Sequence, residues 1–174
     1  MVVGATRFLG AEILRKLAHD ASVAVVAMSR KGAPSNESAD VEWVRGHMMD
    51  PGSLDRALQG VDVIVSSANS YIKGSLDTDF QGNTHLIDAA ARANVGRFVF
   101  FSIVSCEAAA SAVPHFHAKK VGEDLMQASE IQKFRMYLSV RPHFSIRVRT
   151  LLRRVRKLAG SWGWAIRLRD GPMF

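Results

Sequence analysis

A short apolar run, Met1-Val2-Val3, leads into Gly4-Ala5-Thr6-Arg7-Phe8-Leu9-Gly10 and at once into an amphipathic stretch ending near His19. Leu9, Ile13, Leu14 and Leu17 fall at helical spacing and form a stripe that packs on a sheet, which predicts a helix over 8–19. Strand, tight glycine turn and helix start in this order leave few folds open. The turn gathers backbone N–H groups and the positive end of a helix dipole at one point, where a pyrophosphate can sit.

Glycines at positions one, four and seven of such a turn make the dinucleotide fingerprint of dehydrogenase-like folds. Here Gly4 and Gly10 fill the outer positions and Arg7 replaces the middle one. That position ordinarily has no side chain, so that backbone can approach phosphate closely. A guanidinium there either clamps the pyrophosphate or obstructs it. Taken alone, the pattern also fits an ordinary strand-to-helix loop, so its context decides.

The context is a repeated alternation of strand and helix. Residues 23–28 form a continuous apolar run of strand length, as expected of a parallel strand covered on both faces, and end at Ser29-Arg30-Lys31. A loop rich in Gly, Pro, Ser and Asn spans 32–40, and 41–45 predicts a third strand. Asp50-Pro51-Gly52-Ser53 opens a helix with Leu54, Ala57 and Leu58 on its apolar side, Gly60 stops it, and 61–66 supplies a fourth strand. A longer helix is predicted over 77–94, with Phe80, Leu86, Ile87, Ala90 and Ala91 available for burial and Gly96 as its stop. Residues 98–102 read as a fifth strand. Pro114 opens a helix to about 129 carrying Val121, Leu125 and Met126, and 136–140 is the sixth strand candidate. The fold class is α/β, a Rossmann-type doubly wound parallel sheet in three layers.

With 174 residues, one domain is expected. No apolar run reaches the roughly 18 residues that span a bilayer, and the first residues form a strand rather than a basic leader, so the expected location is cytoplasmic. A single cysteine, Cys106, excludes an internal disulfide framework and reads as a small packing residue near a strand end. The net charge of +7 suggests nucleic acid until it is divided along the chain. Residues 1–146 hold 15 basic and 15 acidic side chains, and residues 147–174 hold 8 basic against Asp170 alone.

The order of features resembles the atypical short-chain dehydrogenase/reductase proteins, specifically the NmrA-like NAD(P)-binding group, over residues 1–145. The segments that carry the resemblance are Val2 to Gly10, Ser29-Arg30, Val44-Arg45-Gly46 with Asp50 and Leu54, and Ala57-Leu58-Gln59-Gly60-Val61-Asp62. Asp88-Ala89-Ala90 with Val95-Gly96-Arg97-Phe98-Val99, and Val140-Arg141-Pro142, complete them. Such proteins hold NADP or NAD across the carboxyl ends of the strands, some as reductases or isomerases and some as redox-sensing regulators that act on a protein partner without turnover.

The resemblance implies that Gly4, Thr6, Arg7, Phe8, Leu9 and Gly10 surround the pyrophosphate and that Ser66, Ser67, Ala68 and Asn69 line the nicotinamide side. Arg30 falls where the adenosine ribose is read. A carboxylate there would accept from a 2'-OH, whereas a guanidinium suits a 2'-phosphate, so NADP is preferred to NAD. Arg30 and Lys31 can equally be a solvated loop pair. The family's acidic residue near the adenine falls at His47, a second departure beside Arg7.

The family's chemistry uses a tyrosine, a lysine four residues later and a serine that polarises the carbonyl. Lys119 fits the lysine position, but His115 stands where the tyrosine belongs, and Ser102-Ile103-Val104-Ser105 is an approximate match to the serine. Lys119 and His115 are the catalytic candidates. His115 would donate the proton, and Lys119 and Ser102 would face the cofactor. The alternative leaves His115 and His117 partly exposed at a helix entry and Lys119 on the nicotinamide ribose. His115-x-His117 is a poor metal site, since no third ligand is close in sequence, and none is assigned.

From Ile146 the composition changes to Arg147-Val148-Arg149-Thr150-Leu151-Leu152-Arg153-Arg154-Val155-Arg156-Lys157-Leu158, with Trp162 and Trp164 beyond. Residues 146–174 form a basic tail, disordered or helical, where the family continues into a substrate-binding lobe. On this reading most of that lobe is expected to be lacking, and with it the residues that would identify a small-molecule substrate. As a helix, 147–169 would suit nucleic acid or an anionic membrane surface. A truncation or a shifted reading frame produces the same abrupt change.

Overall fold

A computed structural model describes residues 1–6, 8–35, 40–68, 78–103, 106–129 and 131–138, with Phe8 and Gln132–Leu138 described by their backbone alone. Among these residues six strands form one parallel sheet: β1 (Val2–Val3), β2 (Val25–Ser29), β3 (Val41–Arg45), β4 (Val63–Ser66), β5 (Arg97–Ile103) and β6 (Gln132–Leu138), in the order β3-β2-β1-β4-β5-β6. The helices are α1 (Phe8–Leu17), α2 (Pro51–Ala57), α3 (Asn83–Arg92), α4 (Cys106–Ala109) and α5 (Pro114–Ala128), and a π-helical turn over Thr78–Gly82 leads into α3. This is the doubly wound Rossmann arrangement expected of the alternating pattern.

Successive strand residues point to opposite faces, so an apolar run serves two cores at once. Val2, Ala27, Val65, Val99 and Phe101 join Ile13, Leu14 and Leu17 of α1 on one face. Val3, Met28, Ile64, Phe98 and Phe100 meet Leu54, Leu86, Ile87, Ala90 and Met126 from α2, α3 and α5 on the other. Hence β4 and β5 lack the polar alternation of a half-solvated strand.

The helix signals hold where they are local. Pro51 takes the first helical position of α2, and the Asp50 side chain caps it by accepting from Ser53 N at 3.2 Å. Pro114 starts α5. The helix before β5 departs from expectation at both ends. It ends at Arg92, two residues short of the expected end, and Asn94, with φ of +53°, follows as Val95 N reaches Ala90 O at 3.0 Å and Asn94 N reaches Ala91 O at 3.1 Å, ahead of Gly96. At its start, the π turn over Thr78–Gly82 precedes α3, so the regular α-helix begins only at Asn83. Asp79, two helical turns before the buried Leu86, is buried, whereas Phe80, expected in the core, is 40% exposed. Ala91 is also exposed, Ala89 taking its place in the core.

β6 begins four residues before the predicted strand and pairs with β5 from Arg97↔Gln132 to Ile103↔Leu138. It is the outermost strand beside β5, and its sequence alternates polar and apolar residues instead of forming a continuous apolar run. Arg7, Asn69, Arg141, Pro142 and the basic tail lie outside the described residues.

Candidate functional site

The sheet order changes direction at β1, between β2 and β4, and open α/β sheets bind ligands outside the carboxyl ends of the strands at such a point. The turn from β1 to α1 opens there. Gly4 has φ +81°, a conformation that L side chains rarely adopt, and a Cβ on it would lie 2.8 Å from Ala68 N. Gly10, in the first turn of α1, is tighter still: a Cβ would come within 2.0 Å of Gly4 O and 2.6 Å of Ser67 Oγ. Both outer glycines are thus required by close backbone packing, and they set the start of α1 directly behind the turn.

The loop after β4 is tied to the same place. Ser67 N and Ser67 Oγ both donate to Val3 O, at 3.0 and 3.1 Å. Ser66, at the end of β4, is 1% exposed, and its Oγ has no hydrogen-bond partner among the described residues. A glycine cradle at a helix N-terminus with an unsatisfied hydroxyl beside it fits the demands of a dinucleotide: room for backbone to approach phosphate and a polar group for the ligand to meet. Thr6 is exposed and Leu9 is half-buried against the core under α1.

At the adenosine end, Arg30 follows β2 and is exposed, and its carbonyl accepts from Arg45 Nε at 3.2 Å. Its side chain is open to solvent at the carboxyl edge of the sheet. His47 is exposed too, but its Nδ1 is taken by Met49 N at 3.0 Å and its own N–H by Ser53 Oγ at 2.9 Å.

Beside Ala68 the two catalytic candidates come together around a residue that the sequence reading missed. Lys119 and Asp79 are both buried, with Nζ 3.3 Å from Oδ1. His115 Nδ1 lies 3.6 Å from Asp79 Oδ2, with 37% of its side chain exposed. Lys119 Nζ also donates to Ala68 O at 3.5 Å and stands 5.0 Å from the centre of the Phe100 ring. Burial lowers the Lys119 pKa, and the Asp79 carboxylate opposes that shift. Asn83 Nδ2 donates to Asp79 O at 2.9 Å and fixes the π turn. The missed signal was a polar pair on the buried stripe: Asp79 and Asn83 continue the helical spacing of Leu86 and Ala90.

Ser102 is fully buried, and its Oγ faces Cys106 Sγ at 3.8 Å. Cys106 begins α4, and its thiol donates to the buried carboxylate of Glu123 at 3.3 Å. Burial raises the thiol pKa. Among the described residues no three His, Cys, Asp or Glu side chains gather as a metal site, and no helix is long and apolar enough to cross a membrane.

A family model described as NAD(P)H-binding matches residues 4–143, from the glycine turn to beyond β6. The chain belongs to the NAD(P)H-binding family. This family member is 35% identical over 135 residues to the photosystem II assembly factor Ycf39 of Cyanophora paradoxa, a match covering 74% of this chain and 41% of that protein. It is 32% identical over 135 residues to the ceramide reductase of Caulobacter vibrioides, covering 74% and 42%. Its fold is that of the NADPH-dependent quinone oxidoreductase of Escherichia coli solved with NADPH, at a TM-score of 0.65, 20% identity and coverage of 78% and 47%. The NAD(P)H-binding chain spans less than half the length of each of these proteins.

Proposed function

We propose that this chain is an NADP(H)-binding domain in which holding the cofactor, rather than turnover by these residues alone, is the function. The observation that carries the reading is the contact of Gly10 with the Gly4 carbonyl, which sets the N-terminus of α1 against the β1 turn at the point where the sheet order changes direction. In this reading Gly4, Thr6, Phe8, Leu9 and Gly10 surround the pyrophosphate, with Arg7 as its clamp. Ser66, Ser67 and Ala68 face the nicotinamide half, and Arg30 pairs with the 2'-phosphate. The cofactor would supply a hydride. What the chain's residues contribute is binding and orientation, since Lys119 is engaged by Asp79 and the Ala68 carbonyl and no tyrosine stands four residues before it.

Calorimetric titration with NADPH and with NADH tests the reading, beside an Arg7→Gly variant. Tighter binding of NADPH, weakened in Arg7→Gly, is the expected result. No heat and no rise in melting temperature with either coenzyme rejects it.

A second reading, reduction with His115 as proton donor, draws support from the position of His115 Nδ1 beside Asp79, with part of its ring open to solvent. It requires NADPH oxidation above background with quinone or carbonyl acceptors, lost in His115→Ala. Partner association that changes with the NADPH to NADP ratio, without such oxidation, selects a sensing role instead. No protein, nucleic-acid or membrane partner is needed for the binding reading itself.

A further inference from the structure

The Asp79–Lys119 pair lies outside the glycine cradle, yet one of its contacts leads straight into it. Lys119 Nζ reaches Ala68 O at 3.5 Å, and Ala68 N is the backbone atom that a Cβ on Gly4 would strike, at 2.8 Å. Between them, Ser67 is bound twice to Val3 O at the mouth of β1. A line of contacts therefore runs from the π turn through α5 to the loop after β4, and from there to the phosphate turn.

An ammonium in this position needs a countercharge. Among the described residues, the groups that face Lys119 are Asp79 on the π turn, the Ala68 carbonyl, the Phe100 ring and, more distantly, Cys106 of α4, while His115 sits on the far oxygen of Asp79. Asp79 is the one carboxylate in direct contact among the described residues, and Asn83 holds its backbone at 2.9 Å. Without it, the lysine would either lose its proton or move away from Ala68.

We propose that Asp79 is a positioning residue for the cofactor cleft: it anchors the Lys119 ammonium under the Ala68 carbonyl, and the ammonium fixes the loop after β4 against the Gly4 turn. The strut is a property of the fold, and only its consequence for coenzyme affinity rests on the NADP(H) reading above. It assigns Lys119 a second task, setting the width of the cleft, which is independent of any catalytic proton transfer.

The test is hydrogen exchange on the full chain and on Asp79→Asn, Lys119→Met and the double variant, followed at the Ser67 amide and normalised to Ala27 and Met28 in β2. Ser67 exchange should rise on the order of tenfold above the β2 reference in each single variant. It should rise no further in the double variant, because both changes cut one strut. Should Asp79→Asn not fold, the double variant carries the test, since it removes both charges at similar volume. Ser67 protection there equal to wild type overturns the proposal, and so does an additive loss across the singles. In parallel, NADPH affinity should fall about tenfold in the singles and no further in the double variant, and an unchanged affinity in folded Asp79→Asn also overturns it. Wild-type chain that binds no NADPH but shows the exchange pattern rejects the cofactor reading and leaves the strut intact.

Discussion

Gly10 sits so close to Gly4 that a Cβ on Gly10 would fall 2.0 Å from the Gly4 carbonyl oxygen, well inside any tolerable contact. The neighbours are backbone, which cannot swing aside as a flexible side chain would. Gly10→Ala should therefore push α1 away from the β1 turn. Overpacking of this kind costs about 1–3 kcal/mol, against a gain of about 1 kcal/mol from helix propensity, so net destabilisation is expected. Urea unfolding should show a lower midpoint, and NADPH titration should show weakened binding.

Arg30 is exposed after β2 with no carboxylate bound to it among the described contacts, so its guanidinium can meet a 2'-phosphate. A charged hydrogen bond contributes about 1.5–3 kcal/mol, equivalent to roughly 10- to 100-fold in affinity. Arg30→Ala should reduce NADPH affinity by that factor and leave NADH binding nearly unchanged. Equal losses for both coenzymes would show that Arg30 does not read the phosphate.

The parts of this molecule that could be read from sequence are those fixed by near neighbours. The apolar runs of β2, β4 and β5 signal strands buried on both faces, and Asp50-Pro51 and Pro114 mark helix starts through capping and a fixed φ. The glycine cradle was legible for the same reason, since Gly4 and Gly10 are six residues apart and answer to one turn. The π turn was not, because the buried stripe is polar there: the spacing of Leu86 and Ala90 leads back to Asn83 and Asp79, whereas the neighbouring apolar residue, Phe80, stays exposed. Asp79 and Lys119 are 40 positions apart and meet only when α5 packs beside the π turn, a tertiary fact with no local trace.

The buried ammonium makes stability depend on pH with a definite sign. Burial lowers the folded-state pKa of Lys119 below the ordinary 10.5, so between the folded value and 10.5 the unfolded chain holds the extra proton. Stability referred to this group then rises with pH across that window and levels off above 10.5, with a slope of at most about 1.4 kcal/mol per pH unit. Urea midpoints of wild type relative to Lys119→Met/Asp79→Asn should show that rise. A difference that falls as pH rises past 10.5 would mean that the Asp79 carboxylate outweighs burial and raises the Lys119 pKa instead.

Gly122 offers a test of how α5 is seated on the sheet. A Cβ there would meet Phe100 Cζ at 2.8 Å, and Phe100 is fully buried among residues of α2, α3 and α5. Alanine in mid-helix is worth about 1 kcal/mol over glycine, but the clash opposes it by about 1–3 kcal/mol. Gly122→Ala should thus destabilise the chain, by about 1 kcal/mol, where propensity alone predicts the reverse. Shortening the obstructing ring should relieve it: in a Phe100→Leu background the same substitution should become neutral or stabilising, although Phe100→Leu is itself costly. A double-mutant cycle by urea unfolding measures that coupling, and additive effects would mean that α5 does not bear on Phe100 at this point.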